Sequence, residues 1–216
     1  MKNEIIPVAV VSCCGENRGS LRRLKVLLSL LYCLSVTCLA LSGCSISPPV
    51  TYYALTATAP LAAAPLSKSL PSLAITSISL PELIDRPHLV IAGEGNQVAI
   101  LELHRWGENL KNAIPRVVAD NLSRQLGSEN VSFYPQAMAL GADYTVTIDF
   151  QHFDAHGDTV SVDALWTIKR AGQQLTRGRT RVEEKGNGGL SSLVDAYSRA
   201  LATVSAEIAQ GVTAKK

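Results

Sequence analysis

The spacing of apolar positions changes period several times along the chain, and each change marks an element. From Val26 to Gly43 the run VLLSLLYCLSVTCLALSG carries no charge. Tyr52 to Thr56 is aromatic and β-prone and predicts a first strand. Ala59 to Pro71 (APLAAAPLSKSLP) has no period and is rich in Pro and small residues, so it predicts a linker or loop. Leu73 to Leu80 alternates, with Leu73, Ile75 and Ser77 on one side and Ile78 and Leu80 on the other. That pattern predicts a strand buried on much of both faces. Leu89-Val90-Ile91 and Val98 to Leu103 are two further short strands around Gly93-Glu94-Gly95-Asn96, which predicts a hairpin turn.

From Trp106 the period lengthens. Leu110, Ile114, Val117, Val118, Leu122 and Leu126 follow at steps of three and four, which predicts an amphipathic helix stopped at Gly127. Pro115 lies inside it and either kinks the helix or starts a second piece, because it has no N–H to give. After a short strand at Val131 to Tyr134 comes the clearest pattern. Tyr144, Val146, Ile148 and Phe150 share one face of a long run, and Val160, Val162, Ala164, Trp166 and Ile168 share one face of the next. Turn-length segments at Asp154 to Asp158 and Arg170 to Gln173 join these to Leu175 to Val182, giving an antiparallel meander with one face packed and one wet. Leu190, Val194, Tyr197, Leu201, Val204 and Ile208 then form a stripe alternating by four and three. Such a stripe suits a coiled-coil seam, and more commonly one helix lying on a sheet. The expected fold is α/β: a mixed sheet with an antiparallel C-terminal meander, covered by two long helices.

Charge and cysteine divide the chain near residue 44. Lys2, Arg18, Arg22, Arg23 and Lys25 precede it, as do Glu4 and Glu16, and without them the formal charge falls from +2 to −1. A near-neutral remainder has no electrostatic footprint for nucleic acid. Cys13, Cys14, Cys33, Cys38 and Cys44 also lie in this first part. Residues 45–216 therefore contain no disulfide, thiolate zinc site or cysteine nucleophile. The basic cluster Arg18 to Lys25, the apolar run and the small residues Ser42-Gly43 ahead of Cys44 make a processed N-terminal signal. On length alone the run approaches a membrane-spanning helix, and its end is what decides. Leu41-Ser42-Gly43-Cys44 resembles the bacterial lipobox, which implies lipidation of Cys44 and cleavage before it. Residues 1–43 are thus expected to be signal and 44–216 a single periplasmic domain. The polar stretch 1–20 is unusual ahead of such a signal and reads as lying upstream of the true start. Ser45 is not Asp, which by the usual sorting pattern implies the outer membrane. Two or three acyl chains anchor firmly where one is marginal.

Catalytic patterns are thin. His88, His104, His152 and His156 are scattered, and only His152 and His156, flanking a turn, could share a metal. Solvated turn histidines are far commoner, so no metal or cofactor is expected. Gly186-Asn187-Gly188-Gly189 lacks a following Lys-Ser/Thr and reads as the loop before the last helix. Arg177, Arg179 and Arg181 alternate along one strand and so share a face, either merely solvated or turned toward a partner or anionic lipid.

Several landmarks together resemble a family. The lipobox is followed by Tyr52-Tyr53-Ala54-Leu55, then by Leu80-Pro81-Glu82-Leu83-Ile84-Asp85-Arg86-Pro87 leading into His88-Leu89-Val90, then by Arg105-Trp106 opening the helix through Asn121-Leu122. This is similar to the ABC-type transport auxiliary lipoproteins of PqiC type, with a small departure at Glu82 and Ile84. The resemblance spans the mature chain. It implies a non-catalytic outer-membrane component of an intermembrane lipid-transport system, docking or receiving an MCE-domain membrane protein that crosses the periplasm, supporting envelope integrity and working as a homo-oligomer. Pro81 and Pro87 stiffen the 80–87 stretch, with Asp85 and Arg86 placed to tie it down or to meet a partner. Two other readings compete. A periplasmic cell-wall hydrolase would need a clustered acid pair or a His-containing site, and a lipid carrier would need a large apolar pocket. The anchor is directly testable: Cys44→Ala is expected to leave the protein unlipidated and uncleaved by the lipoprotein peptidase. Intact-mass analysis of the membrane form checks this, and a mature N-terminus elsewhere, or no acyl mass, would overturn it.

Overall fold

The computed structural model describes residues 18–41, 47–62 and 71–214 and divides into two compact units, Met1–Ser47 and Pro48–Lys216. The first unit contains helix α1 (Arg18–Leu41), whose side chains from Arg22 to Val36 are exposed. Among the described residues no helix is long and apolar enough to cross a membrane. Residues 1–17, the cleavage and lipidation positions Ser42 to Cys44, and residues 63–70 of the expected linker lie outside the described residues.

The second unit is the expected mixed α/β domain. Its elements are β1 (Thr51–Tyr53), β2 (Leu73–Ser79), β3 (His88–Ala92), β4 (Val98–Trp106), α2 (Leu110–Leu126), β5 (Val131–Phe133), β6 (Tyr144–His156), β7 (Thr159–Arg170), β8 (Gln173–Lys185) and α3 (Leu190–Thr213). The meander forms where its alternation predicts it, but β6 runs on through Asp154 to His156, leaving only Gly157-Asp158 of the expected 154–158 turn. Strand β6 runs antiparallel to β7 from Tyr144↔Arg170 to His156↔Thr159, and β7 to β8 from Arg170↔Gln173 to Thr159↔Lys185. The β7–β8 turn is two residues long, and both Ala171 (φ 48°) and Gly172 (φ 76°) are left-handed, as the tightest hairpins require.

The other edge of β6 is divided. Its first half pairs in parallel with β2, from Leu73↔Tyr144 to Ser79↔Asp149, while its last residue, His156, pairs with Ala92 of β3. Beyond β2 lies β5, and beyond β3 lie β4 and then β1. The sheet therefore forks, and residues Leu80–Pro87 close the notch. Ile84 fills it, buried against the core. Around it Phe153 stacks on Tyr197 (4.5 Å, 23°), and Tyr197 meets Trp106 edge-on (5.8 Å, 77°). Burial pushes the Tyr197 hydroxyl well above the usual tyrosine range, and nearby Asp154 adds to the shift. The cavity left among these side chains is only about 10 Å³, about one water-sized probe. The large apolar pocket expected of a lipid carrier is not present among the described residues at this point.

Both helices cover one face of the sheet. Helix α3 packs on β7 and β8, α2 on β2 and β5, and the helices pack on each other. The α3 stripe is a helix on a sheet rather than a coiled-coil seam: Val194, Tyr197, Leu201, Val204 and Ile208 are all buried. Helix α2 is one continuous helix with Pro115 inside it, capped by the Asn109 side chain accepting from Lys111 N–H (2.8 Å) and ended by left-handed Gly127. Three further expectations need correction. Arg105 and Trp106 end β4 rather than open the helix, which starts four residues after the tryptophan, just beyond its Asn109 cap. Strand β2 is buried throughout only at Leu73 to Ile75; the ladder shifts at Thr76, and beyond it Ile78 is only partly buried against the core, beside a cleft lined by Lys111 and Pro115. Ala59 to Ala62 are not loose linker. Thr56 N–H donates to Ser198 Oγ, Ala59 N–H to buried Asn121 Oδ1, and Ala62 N–H to the Arg124 carbonyl. Groups on both helices thus satisfy a backbone that has no ladder partner.

Asp at Ile148 or Leu201, which are 2% and 0% exposed, places a carboxylate in the core and is expected to cost several kcal/mol. The same change at their half-buried neighbours Thr147 or Ala202 is expected to be milder. Equal thermal melting of the two pairs would show the faces to be wrongly assigned.

Candidate functional site

Two surfaces come forward, and the fold keeps them apart. The first is the notch loop. Ile84 and Asp85 N–H both donate to the Pro81 carbonyl, and the Pro87 carbonyl accepts from Trp106 N–H (2.7 Å). Asp85 accepts from Lys111 Nζ at 2.5 Å, on the first turn of α2. Its carboxylate is therefore occupied in tying loop to helix. Arg86 is half-buried, and its Nε is buried without a hydrogen-bond partner.

The second surface is the arginine strand. Arg177, Arg179 and Arg181 lie exposed on the face of β8 away from the helices. In the sheet, β7 and β6 stand between them and the notch side. The register sets Thr167, Leu165 and Asp163 of β7 opposite the three arginines in turn. Asp163, only 8% exposed, binds two of them. Arg179 donates through Nε to Oδ1 (2.8 Å) and through Nη2 to Oδ2 (2.6 Å), and Arg181 Nε donates to Oδ2 (3.1 Å). Hydrogen bonding from Arg179 above all, then from Arg181, depresses the Asp163 pKa to about 2 against the opposing cost of burial. The strip is thus partly organised rather than merely solvated. Arg177 has no ion-pair partner among the described residues.

Sequence reasoning misses Asp163, whose one signal is its outward place in the alternation of β7. Behind it, Trp166 Nε1 donates to Thr180 Oγ1 (3.1 Å), and Thr180 donates to Glu207 Oε2 of α3 (2.6 Å). Gly178 makes room for that indole, since a Cβ there would sit 2.2 Å from Trp166 Cζ2. The histidines do not converge. His152 Nδ1 lies 3.1 Å from Asp154, His88 Nε2 3.4 Å from Glu102, and His104 Nδ1 3.0 Å from Tyr53 Oη, while His156 is exposed beside the β6–β7 turn. Among the described residues no three His, Cys, Asp or Glu side chains are grouped to hold a metal.

A forked sheet with one helical cover and an arginine-bearing outer strand defines a mixed α/β domain. The chain belongs to the family of ABC-type transport auxiliary lipoprotein components, whose model matches residues 53–209. Two solved structures share the fold. An uncharacterized protein is 22% identical with a TM-score of 0.60, over 76% of this chain and 98% of its own. Protein XCC0632 from Xanthomonas campestris is 15% identical with a TM-score of 0.62, over 74% and 93%. No curated protein matches the chain.

Asp163 yields a pH test. Its folded pKa lies below the unfolded value of about 3.9, so its stabilisation is present above that value and is lost as pH falls through about 2. Asp163→Asn is expected to cost roughly 1 kcal/mol near neutrality, discounted because the arginines are half in solvent. Melting curves of the two proteins should converge as pH drops from 4 toward 2. A gap that persists at the acid end would mean that the loss comes from packing and not from charge.

Proposed function

We propose that this protein is an outer-membrane lipoprotein, anchored through acylated Cys44 on the periplasmic face, and that it serves an MCE-type intermembrane lipid-transport system. Its work is to dock or receive the periplasm-spanning MCE-domain protein, as a homo-oligomer and without catalysis, and so to support envelope integrity. The observation that carries this reading is the match to the transport-auxiliary lipoprotein family across residues 53–209, directly downstream of Leu41-Ser42-Gly43-Cys44. The notch itself offers no room for a lipid, since its apolar cavity of about 10 Å³ is far below the several hundred Å³ of ligand sites; clefts of about 410 Å³ at Thr76, Pro115 and Tyr134 and of about 400 Å³ at Asp163 and Arg181 lie elsewhere.

Mild crosslinking of intact cells, followed by purification from membranes, is expected to recover an MCE-domain protein with the wild-type chain. Its absence under conditions where the lipoprotein crosslinks to itself would overturn the reading. Reversing all three arginines is a poor companion test, because Arg179→Glu or Arg181→Glu would set a second carboxylate against buried Asp163 and loosen the sheet. Arg177→Glu avoids that. It is expected to leave melting within about 0.5 kcal/mol of wild type while lowering recovery of the partner.

A further inference from the structure

Strand β8 is the outer strand of the meander and pairs only with β7 among the described strands. Between Gln174 and Glu184 its backbone makes no hydrogen bond to another backbone beyond that ladder. In an antiparallel pair every second residue turns its N–H and C=O away from the neighbour, so the far edge of β8 offers a row of donors and acceptors to an added strand. The same strand carries the three arginines. Asp163 takes Nε and Nη2 of Arg179 and Nε of Arg181, leaving Arg179 Nη1 and both terminal nitrogens of Arg181 without it. Arg177 is likewise uncommitted among the described residues. On this face of β8, Arg177, Arg179, Arg181 and Lys185 stand against Asp163 and Glu183, so the strip keeps excess positive charge, concentrated at the arginines, and Asp163 holds two of the cations in place.

Resting on the reading of the protein as a docking component, we propose that the β8 edge receives an extended acidic segment of its protein partner. The segment adds as a further strand and sets carboxylates at alternate positions against Arg177, Arg179 and Arg181. The spacing argues for this occupant. Arginines two residues apart on a strand repeat at roughly 6.8 Å, the period of alternate side chains on an added strand. Directly opposed side chains then stand within about 5 Å, close enough for charge pairing. A guanidinium matches a carboxylate with two parallel hydrogen bonds. A bilayer surface has no such repeat and cannot complete a strand edge. A second copy whose two-fold axis lies at Arg179 sets Arg177 against Arg181 and Arg179 against itself, and like charges directly opposed destabilise a pair; a shifted axis that opposes Arg181 to Glu183 leaves Arg177 without a carboxylate.

The test uses the full lipidated chain in detergent and a synthetic peptide of about ten residues with Glu and Thr alternating. Companions are an isomer with the glutamates clustered at one end and a copy N-methylated at alternate residues. Titration calorimetry is expected to show the alternating peptide binding at least about tenfold more tightly than either companion, weakening with salt, and weakening again with Arg177→Glu at unchanged melting temperature. Equal binding of the clustered or N-methylated peptide, or indifference to Arg177→Glu, would sink the proposal. So would binding of anionic phosphatidylglycerol vesicles in place of the peptide, or self-association through β8 that the peptide does not disturb. The two readings fail separately. An MCE-domain protein recovered by crosslinking without peptide binding leaves docking intact and removes the edge, whereas peptide binding without that recovery keeps the edge and removes the proposed partner.

Discussion

The architecture hangs on the two edges of β6. One edge carries β7 for its full length, while the other is shared, with β2 on its first half and β3 at its last residue. A strand so divided leaves backbone between Asp149 and His156 without a continuous neighbour on that side. The chain meets this constraint with the 80–87 connection, stiffened by Pro81 and Pro87 and plugged by Ile84. The aromatic side chains of Phe153, Tyr197 and Trp106 fill the space behind it, each contributing about 1.5–3 kcal/mol by burial and somewhat more through ring packing. A ladder shift between Phe150 and His152 makes this possible. It skips Gln151, so Phe150 and Phe153 both point into the core and meet edge-on at 5.6 Å. Without the shift, alternation would turn Phe153 to solvent.

Periodicity carries the meander and both long helices, because each is covered on one face over many residues and the pattern repeats. The β3–β4 hairpin is marked by its Gly-rich turn instead, since β4 is largely exposed. Periodicity fails where one residue or one cap matters. Arg105-Trp106 reads as a helix start because Trp106 is apolar and in phase with Leu110, but Asn109 captures the Lys111 N–H and fixes the start later. The segment Leu55 to Ala62 has no period at all, yet Leu55 and Ala59 are each only 2% exposed. Their order comes from Asn121 and Ser198, contributed by two helices distant in sequence, and such contacts leave no local signature.

The arginine strand shows the same limit more sharply. Its alternation is plain in the sequence, but its partner is not. Counting back from the two-residue turn at Ala171-Gly172 would oppose Asp163 to Thr180 and bring Arg177 against inward-facing Trp166. Leu175 is skipped instead, and the shift between Ile168 and Lys169 moves every later pair by one. A single extra residue exchanges the two faces of a strand. Here it puts Gly178 under Trp166, turns the arginines outward and sets Asp163 opposite Arg181. The register follows from packing a tryptophan, and the charged face follows from the register.

The segment that leads into the domain gains meaning from the same accounting. Strand β1 lies parallel to the end of β4, from Thr51↔His104 to Tyr53↔Trp106, and the Tyr53 carbonyl accepts from Gly107 N–H at 2.7 Å. Within the next few residues the chain is fastened to α3 at Ser198 and to α2 at Asn121 and Arg124. A pull applied ahead of Thr51 therefore enters the fold through a strand ladder and then through two helices, rather than through a frayed end. The buried side chains of Asn121 and Ser198, which look like misplaced polar groups on core-facing helices, are then explained by the backbone they hold.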